Sequence, residues 1–138
     1  MVNFLGGLRK EHEPPPAGRY QVKMIPKNLR EAEGREGVTL YCTVEINDGE
    51  LAGREVPLSF RVAGPDRQRF FVRRDVNALI KWADALGVTA AANGLDLLKE
   101  LGRAGKDRAL FMTFAVSSDL KFGPEILITN VKVAEPDV

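Results

Sequence analysis

The sequence has very few of the residues that most often carry enzyme chemistry. Its 138 residues include one cysteine, Cys42, and one histidine, His12. A single cysteine excludes an internal disulfide, and this pair cannot supply the ligand cluster of a typical metal site. A nucleophilic serine or cysteine needs a neighbouring base, and the histidine lies far from the patterned part of the chain. The sequence therefore predicts a protein that is not an enzyme and that holds no metal and no cofactor.

Long apolar runs are also missing. No segment approaches the about 20 apolar residues needed to span a bilayer. The N-terminus lacks the basic region followed by an apolar region that marks a secretory signal. Apolar and polar residues alternate around Cys42 and place it on the apolar side, which indicates a small core residue. A lone buried cysteine is typical of a protein in a reducing compartment. We therefore expect a cytoplasmic protein without a membrane segment.

The net charge of +1 is close to zero, yet the charges are separated into blocks. Residues 19–30 contain four basic and no acidic residues, and residues 31–50 contain six acidic residues and one basic. Residues 54–81 contain seven basic and three acidic residues. Such separation is typical of a surface with a directed electrostatic field, which a polyanionic partner would use.

The length and the turn signals predict one domain with short extensions. Residues 1–16 lack a sustained period and end in three prolines, so we expect a flexible N-terminal arm. Residues 17–134 form the predicted domain, and residues 135–138 form a short tail.

Alternation of apolar and polar residues predicts five strands. The clearest runs from Val38 to Ile46, with the Tyr41 side outward. A turn at Asn47-Asp48-Gly49 leads to a third strand, about residues 54–62. The first strand is predicted at 19–25, with an edge-like or bulged position at Pro26 and a polar loop at 29–37. The last two are predicted at 110–116 and 125–133, joined by a loop at 117–124.

Helical periodicity appears between the third and fourth strands. A helix is predicted to begin at Asp75 as its N-cap and to end at Gly87, with Trp82 in its buried stripe. A weaker helix is predicted at 89–101. The chain is therefore mainly β with one or two helices, and its element order matches the OB-fold, a five-stranded Greek-key barrel. An open α+β sheet with helices on one face has the same order and is the alternative.

The OB-fold binds oligonucleotides with strands two and three and the adjoining loops, here 29–37 and 117–124. Single strands bind to basic groups that neutralise phosphates and to aromatic rings on which bases stack. Tyr41 and Phe122 are the candidate stacking residues, although Tyr41 can also be a cross-strand partner and Phe122 can fold back on the barrel. The candidate phosphate contacts are Lys23, Lys27, Arg30, Arg54, Arg61 and Lys121.

Arginines and phenylalanines interleave most densely from Arg67 to Arg74. The run precedes the predicted helix, so we expect Phe70, Phe71 and Val72 to close the core while the arginines remain solvated. The alternative is that the run extends the electrostatic track for a bound strand. The sequence leaves this choice open.

Three segments carry a resemblance to a known group. They are residues 16–22 (PAGRYQV), 41–56 (YCTVEINDGELAGREV) and 77–88 (NALIKWADALGV). They resemble small bacteriophage and prophage proteins long catalogued as a domain of unknown function and encoded beside recombination and replication genes. The resemblance covers about residues 14–133 and implies single-stranded DNA binding on an OB-like barrel in the host-cell cytoplasm. It brings no catalytic residues, and this chain lacks the long acidic tail that would recruit partners.

The sequence thus predicts a sequence-tolerant single-stranded DNA-binding protein of phage-type replication or recombination. The alternative is a protein-interaction or structural accessory module that docks a recombinase or a host protein. Single-stranded DNA is the expected partner, and replication or recombination proteins are further candidates. The sequence leaves open whether the chain forms a homo-oligomer.

Overall fold

The chain folds around one antiparallel sheet. The computed structural model describes residues 15–35, 37–119 and 123–134. The sheet order is β3-β2-β1-β4-β5, with strands at Gly18–Gly34 (β1), Gly37–Ile46 (β2), Glu55–Ala63 (β3), Leu110–Asp119 (β4) and Gly123–Val133 (β5). Between β3 and β4 lie a 3-10 turn at Asp66–Gln68 and the helices Arg69–Leu86 (α1) and Gly94–Ala104 (α2). The mainly β prediction, with helices between the third and fourth strands, is confirmed.

The first strand is longer than predicted. β1 continues to Gly34, and residues 30–33 pair with residues 38–41 of β2, so the predicted loop at 29–37 is wrong. The register shifts between Ile25 and Arg30, where Pro26 cannot donate to the ladder and Asn28 has a φ of 55°. Of the two alternatives predicted at Pro26, an edge-like or a bulged position, the register shift favours the bulge. At the start of β2, Gly37 has a φ of 110°, and a Cβ there would overlap the Ala63 carbonyl; only glycine fits this position.

The second hairpin also extends into its predicted loop. β4 reaches Asp119 and β5 begins at Gly123, so strands occupy most of the predicted loop at 117–124. Residues 120–122 lie outside the described residues, as do residues 1–14 of the predicted arm and the tail at 135–138.

Both helices differ from their predicted starts. α1 begins at Arg69 and not at Asp75, which is buried inside the helix. It ends as predicted at Gly87, whose φ of 73° gives a left-handed C-cap. α2 begins after Asn93, whose side-chain oxygen accepts a hydrogen bond from the Asp96 amide at 2.9 Å. In the described part of the chain, neither helix is both long and apolar enough to cross a bilayer.

The core lies between the inner side of the sheet and the two helices. α1 contacts β3 and β5, the two edges of the sheet, while α2 contacts β1 and β2. The inward side chains of β2, from Leu40 to Ile46, are fully buried, and Trp82 at the centre of α1 is 0% exposed. The core positions predicted for Cys42 and Trp82 are confirmed. Because the helices pack on the inner side, the opposite side of β1–β3 faces away from them; on that side Thr43 is buried, and Tyr41 and Arg61 are half-buried.

Candidate nucleic-acid interface

The outer face of the sheet is the side of β1, β2 and β3 turned away from the helices, and Tyr41 lies at its centre. In the register, Tyr41 stands between Arg30 of β1 and Ser59 of β3. The guanidinium carbon of Arg30 lies 4.3 Å from the centroid of the Tyr41 ring. A cation held over an aromatic face at this distance is an attractive arrangement. The pair places a positive charge and a half-buried ring at the same point of the outer face.

A second arginine–aromatic group lies next to the first. Arg61 pairs with Thr39 and is thus a diagonal neighbour of Tyr41 across β2 and β3. Its guanidinium carbon lies 5.0 Å from the centroid of the Phe71 ring, and that of Arg74 lies 5.2 Å from the same centroid. Phe71 and Arg74 belong to the first turns of α1. Arg61 therefore links the outer face to the start of α1. We call the sheet residues Arg30, Tyr41, Ser59 and Arg61, together with Phe71 and Arg74 of the adjoining helix, the basic end of the outer face.

Asp75 joins the helix to the edge of the sheet. Its carboxylate accepts a hydrogen bond from the Arg61 amide at 2.9 Å and another from the Arg74 Nε at 3.0 Å. The residue is only 6% exposed. An edge strand leaves backbone donors unpaired, and Asp75 satisfies one of them. It therefore ties the Arg61 backbone and the Arg74 side chain to one carboxylate next to Phe71.

Replacing Asp75 tests this link. Asp75→Ala is expected to lower the free energy of unfolding by about 1–3 kcal/mol, because it leaves the partly buried Arg61 amide without its acceptor. Asp75→Asn keeps an acceptor oxygen and loses only the charge, so we expect a smaller loss. Urea denaturation followed by circular dichroism measures both. Equal losses for the two variants would show that the hydrogen bond to Arg61 is not what Asp75 contributes.

The opposite end of the outer face carries carboxylates. Lys23 is paired in register with Glu45, which is also opposite Glu55. The Lys27 ammonium lies 2.6 Å from a Glu55 carboxylate oxygen, so this ion pair reaches from β1 across β2 to β3. We call Lys23, Lys27, Glu45 and Glu55 the acidic end. Here the carboxylates balance the positive charges of the two lysines, so these lysines attract phosphates only weakly.

The remaining predicted site residues lie elsewhere. Arg54 precedes β3, and its carbonyl accepts from the Ile46 amide at 2.9 Å. Strand alternation puts Arg54 on the side of buried Val56 and not on the side of Tyr41. Lys121 and Phe122 lie outside the described residues. Of the eight predicted residues, the structure brings together Arg30, Tyr41 and Arg61.

The expected core role of the Arg67–Arg74 run is wrong for Phe70. That side chain is 73% exposed, and Phe71 is only half-buried. The density of arginines and phenylalanines was the signal in the sequence. What the sequence did not show is that α1 starts early enough to place Phe71 and Arg74 beside Arg61.

The described residues offer no group of three or more histidines, cysteines or acids arranged to hold a metal ion. Burial raises the pKa of Cys42 to about 12, so its thiol stays protonated at neutral pH. Cys42 is thus a core side chain and not a thiolate nucleophile.

Comparison with other proteins gives no relative to reason from. No known protein family, curated protein or solved structure matches this chain. The argument for function therefore rests on the residues of the outer face.

Proposed function

We propose that the protein binds single-stranded DNA, with little dependence on sequence, at the basic end of its outer face. The observation that carries this proposal is the pair of adjacent arginine–aromatic groups, Arg30 with Tyr41 and Arg61 with Phe71 and Arg74. Single-strand binding combines aromatic rings on which bases stack with cations that contact the phosphates. These two groups supply both on neighbouring strands and the adjoining first turns of α1.

The chemistry of the face favours sequence tolerance. A base stacked on an aromatic ring gains about 1–3 kcal/mol whatever its identity, since every base has a π-face. Thr39 and Ser59 beside Tyr41 offer hydroxyl groups, which donate and accept and so accommodate different base edges. Arginine guanidinium groups meet phosphate oxygens without reading the bases.

The distribution of charge over the outer face determines the path of the bound DNA strand. Glu45 and Glu55 offset the charges of Lys23 and Lys27, so the acidic end offers phosphates no net attraction and the basic end is the favourable crossing point. The bound DNA strand accordingly crosses β1, β2 and β3 near Tyr41 and Arg61 and leaves the sheet toward α1. In this account Lys23 and Lys27 neutralise neighbouring carboxylates instead of contacting DNA.

We further propose that the sheet and α1 form an OB-like barrel. In support, the edge strands β3 and β5 both lie against α1, and Leu58, Ala78 and Leu127 from the three elements line one small gap. In that fold the second and third strands bind oligonucleotides, as proposed here for β2 and β3. The sequence resemblance described above is the basis for assigning the protein to phage-type replication or recombination in the host cytoplasm.

Titration with a dye-labelled oligo-dT at two salt concentrations tests the proposal. If Arg30 and Arg61 each neutralise one phosphate, raising the salt from about 50 to about 200 mM should weaken binding about 7-fold. The label belongs on the oligonucleotide, because the fully buried Trp82 would report poorly on the surface. Absent binding, or binding that salt does not weaken, would refute the proposal.

A second candidate function is a protein-interaction module, and exposed apolar residues favour it. Ile80 is 50% exposed and borders an open groove of about 540 Å³ between α1 and α2, with Val88 and Leu97 in its lining. This function would be supported if the protein shows no affinity for oligo-dT and a pull-down with it retains one partner protein after nuclease treatment.

A further inference from the structure

Phe70 is the most exposed large apolar side chain in the described part of the chain, at 73%. It lies in the first turn of α1, and its ring meets that of Phe71 edge to face, with 5.7 Å between centroids. A single exposed apolar residue is common on protein surfaces. The surroundings of Phe70 are what make it informative.

Those surroundings are strongly basic. Arg67, Arg69, Arg73 and Arg74 lie within four residues of Phe70 along the chain, and Arg69 and Arg73 are exposed. The two nearest acids are Asp66 and Asp75, and Asp75 is buried and ion-paired with Arg74. They offset two of the four positive charges, so residues 66–75 keep a net charge of +2. The charge around Phe70 is complementary to a polyanion and not to an apolar protein surface.

The patch is continuous with the basic end of the outer face. Phe71 belongs to both, because its ring lies next to the Arg61 guanidinium and also next to the Phe70 ring. A strand that leaves Tyr41 toward α1 therefore reaches Arg61, then Arg74, and then the open ring of Phe70. No helix or strand of the described residues covers that ring.

We infer that Phe70 is a second stacking platform for the same single strand, with Arg69 and Arg73 neutralising phosphates beside it. The inference rests on the proposed function. It identifies the ligand as an unpaired strand long enough to reach Tyr41 and Phe70 together, because bases held in a duplex cannot stack on a side chain. Occupying two linked platforms raises affinity beyond that of either alone.

The experiment compares the unmodified 138-residue chain with its Phe70→Ala variant, using labelled oligo-dT of about 4 and about 16 nucleotides, the range of site sizes of OB-folds. We expect Phe70→Ala to weaken binding of the long oligonucleotide by about 5- to 150-fold, the loss of one stacked base. Binding of the short oligonucleotide, held at Tyr41, should change little. Ile80→Ala is the matched control, because it removes the other exposed large apolar residue of the same helix and should leave both affinities unchanged.

The outcomes separate this inference from the proposed function. If the unmodified protein binds neither oligonucleotide, the proposed function itself fails. If it binds both and Phe70→Ala changes neither, or weakens both equally, the second platform is refuted while DNA binding stands. Sedimentation and thermal melting accompany the titrations. A Phe70→Ala variant that melts normally and binds DNA with unchanged affinity, but no longer self-associates, would show that Phe70 contacts a second copy of the chain. That result would overturn the inference.

Discussion

Tyr41→Ala is expected to weaken binding of oligo-dT by about 5- to 150-fold, because it removes a ring worth about 1–3 kcal/mol of base stacking. The substitution also removes the surface over which the Arg30 guanidinium is held, at 4.3 Å from the ring centroid. Arg30 would then sample other positions, and its contribution to phosphate binding would fall. Fluorescence anisotropy of a labelled oligonucleotide measures the loss.

Tyr41→Phe is the matched control for this prediction. It keeps a ring for stacking and for the contact with Arg30, and loses only the hydroxyl, so we expect affinity close to that of the unmodified protein. Thermal melting of both variants establishes that each is folded. An alanine variant that is folded and binds oligo-dT normally would remove Tyr41 from the interface.

Trp82→Ala is expected to lower the free energy of unfolding by about 3–5 kcal/mol, the typical cost of emptying a buried tryptophan site. Trp82 is 0% exposed and lies in α1, the helix that contacts both edges of the sheet. Its ring packs near that of Phe60 on β3, with 6.3 Å between centroids. The cavity would therefore open where α1 holds β3. Chemical denaturation measures the change.

Trp82→Phe provides the comparison. The Trp82 Nε1 donor is buried and has no hydrogen-bond partner among residues 15–35, 37–119 and 123–134. Phenylalanine removes this unsatisfied donor while keeping an aromatic ring beside Phe60, so we expect a distinctly smaller loss than for alanine. Equal losses for the two variants would mean that ring packing against β3 contributes little to stability.

The parts of the fold that could be predicted are those where local pattern and burial agree. β2 alternates without interruption because one of its faces, from Leu40 to Ile46, is completely buried. Gly87 ends α1 because glycine adopts the left-handed conformation without cost. Such positions depend on neighbours close in sequence.

The predictions that were wrong concern positions whose structure depends on contacts between residues distant in sequence. Arg30 to Glu33 are polar and indicate a loop, yet pairing with β2 holds them in β1. Asp75 has the chemistry of a helix cap, but its carboxylate serves the Arg61 amide on another element. Tertiary structure overrode local preference in both cases.

The exposure of Phe70 has a geometric cause. The buried stripe of α1 includes Asp75, Ala78, Leu79 and Trp82. Phe70 and Ile80 each lie five residues from Asp75, which is about 140° around a helix, so both point away from the core. Had the helix been predicted to start at Arg69, this offset would have been visible in the sequence. The approach of Phe71 to Arg61 would not, because it depends on where α1 lies against β3.

The most direct test of the account maps the bound strand on the protein. In a nitrogen-15 correlation spectrum, adding oligo-dT should shift the backbone amides of Thr39, Tyr41, Ser59 and Arg61 more than any at the acidic end. Shifts confined to the region of Glu45 and Glu55, or to the groove beside Ile80, would contradict the placement of DNA on the basic end of the outer face.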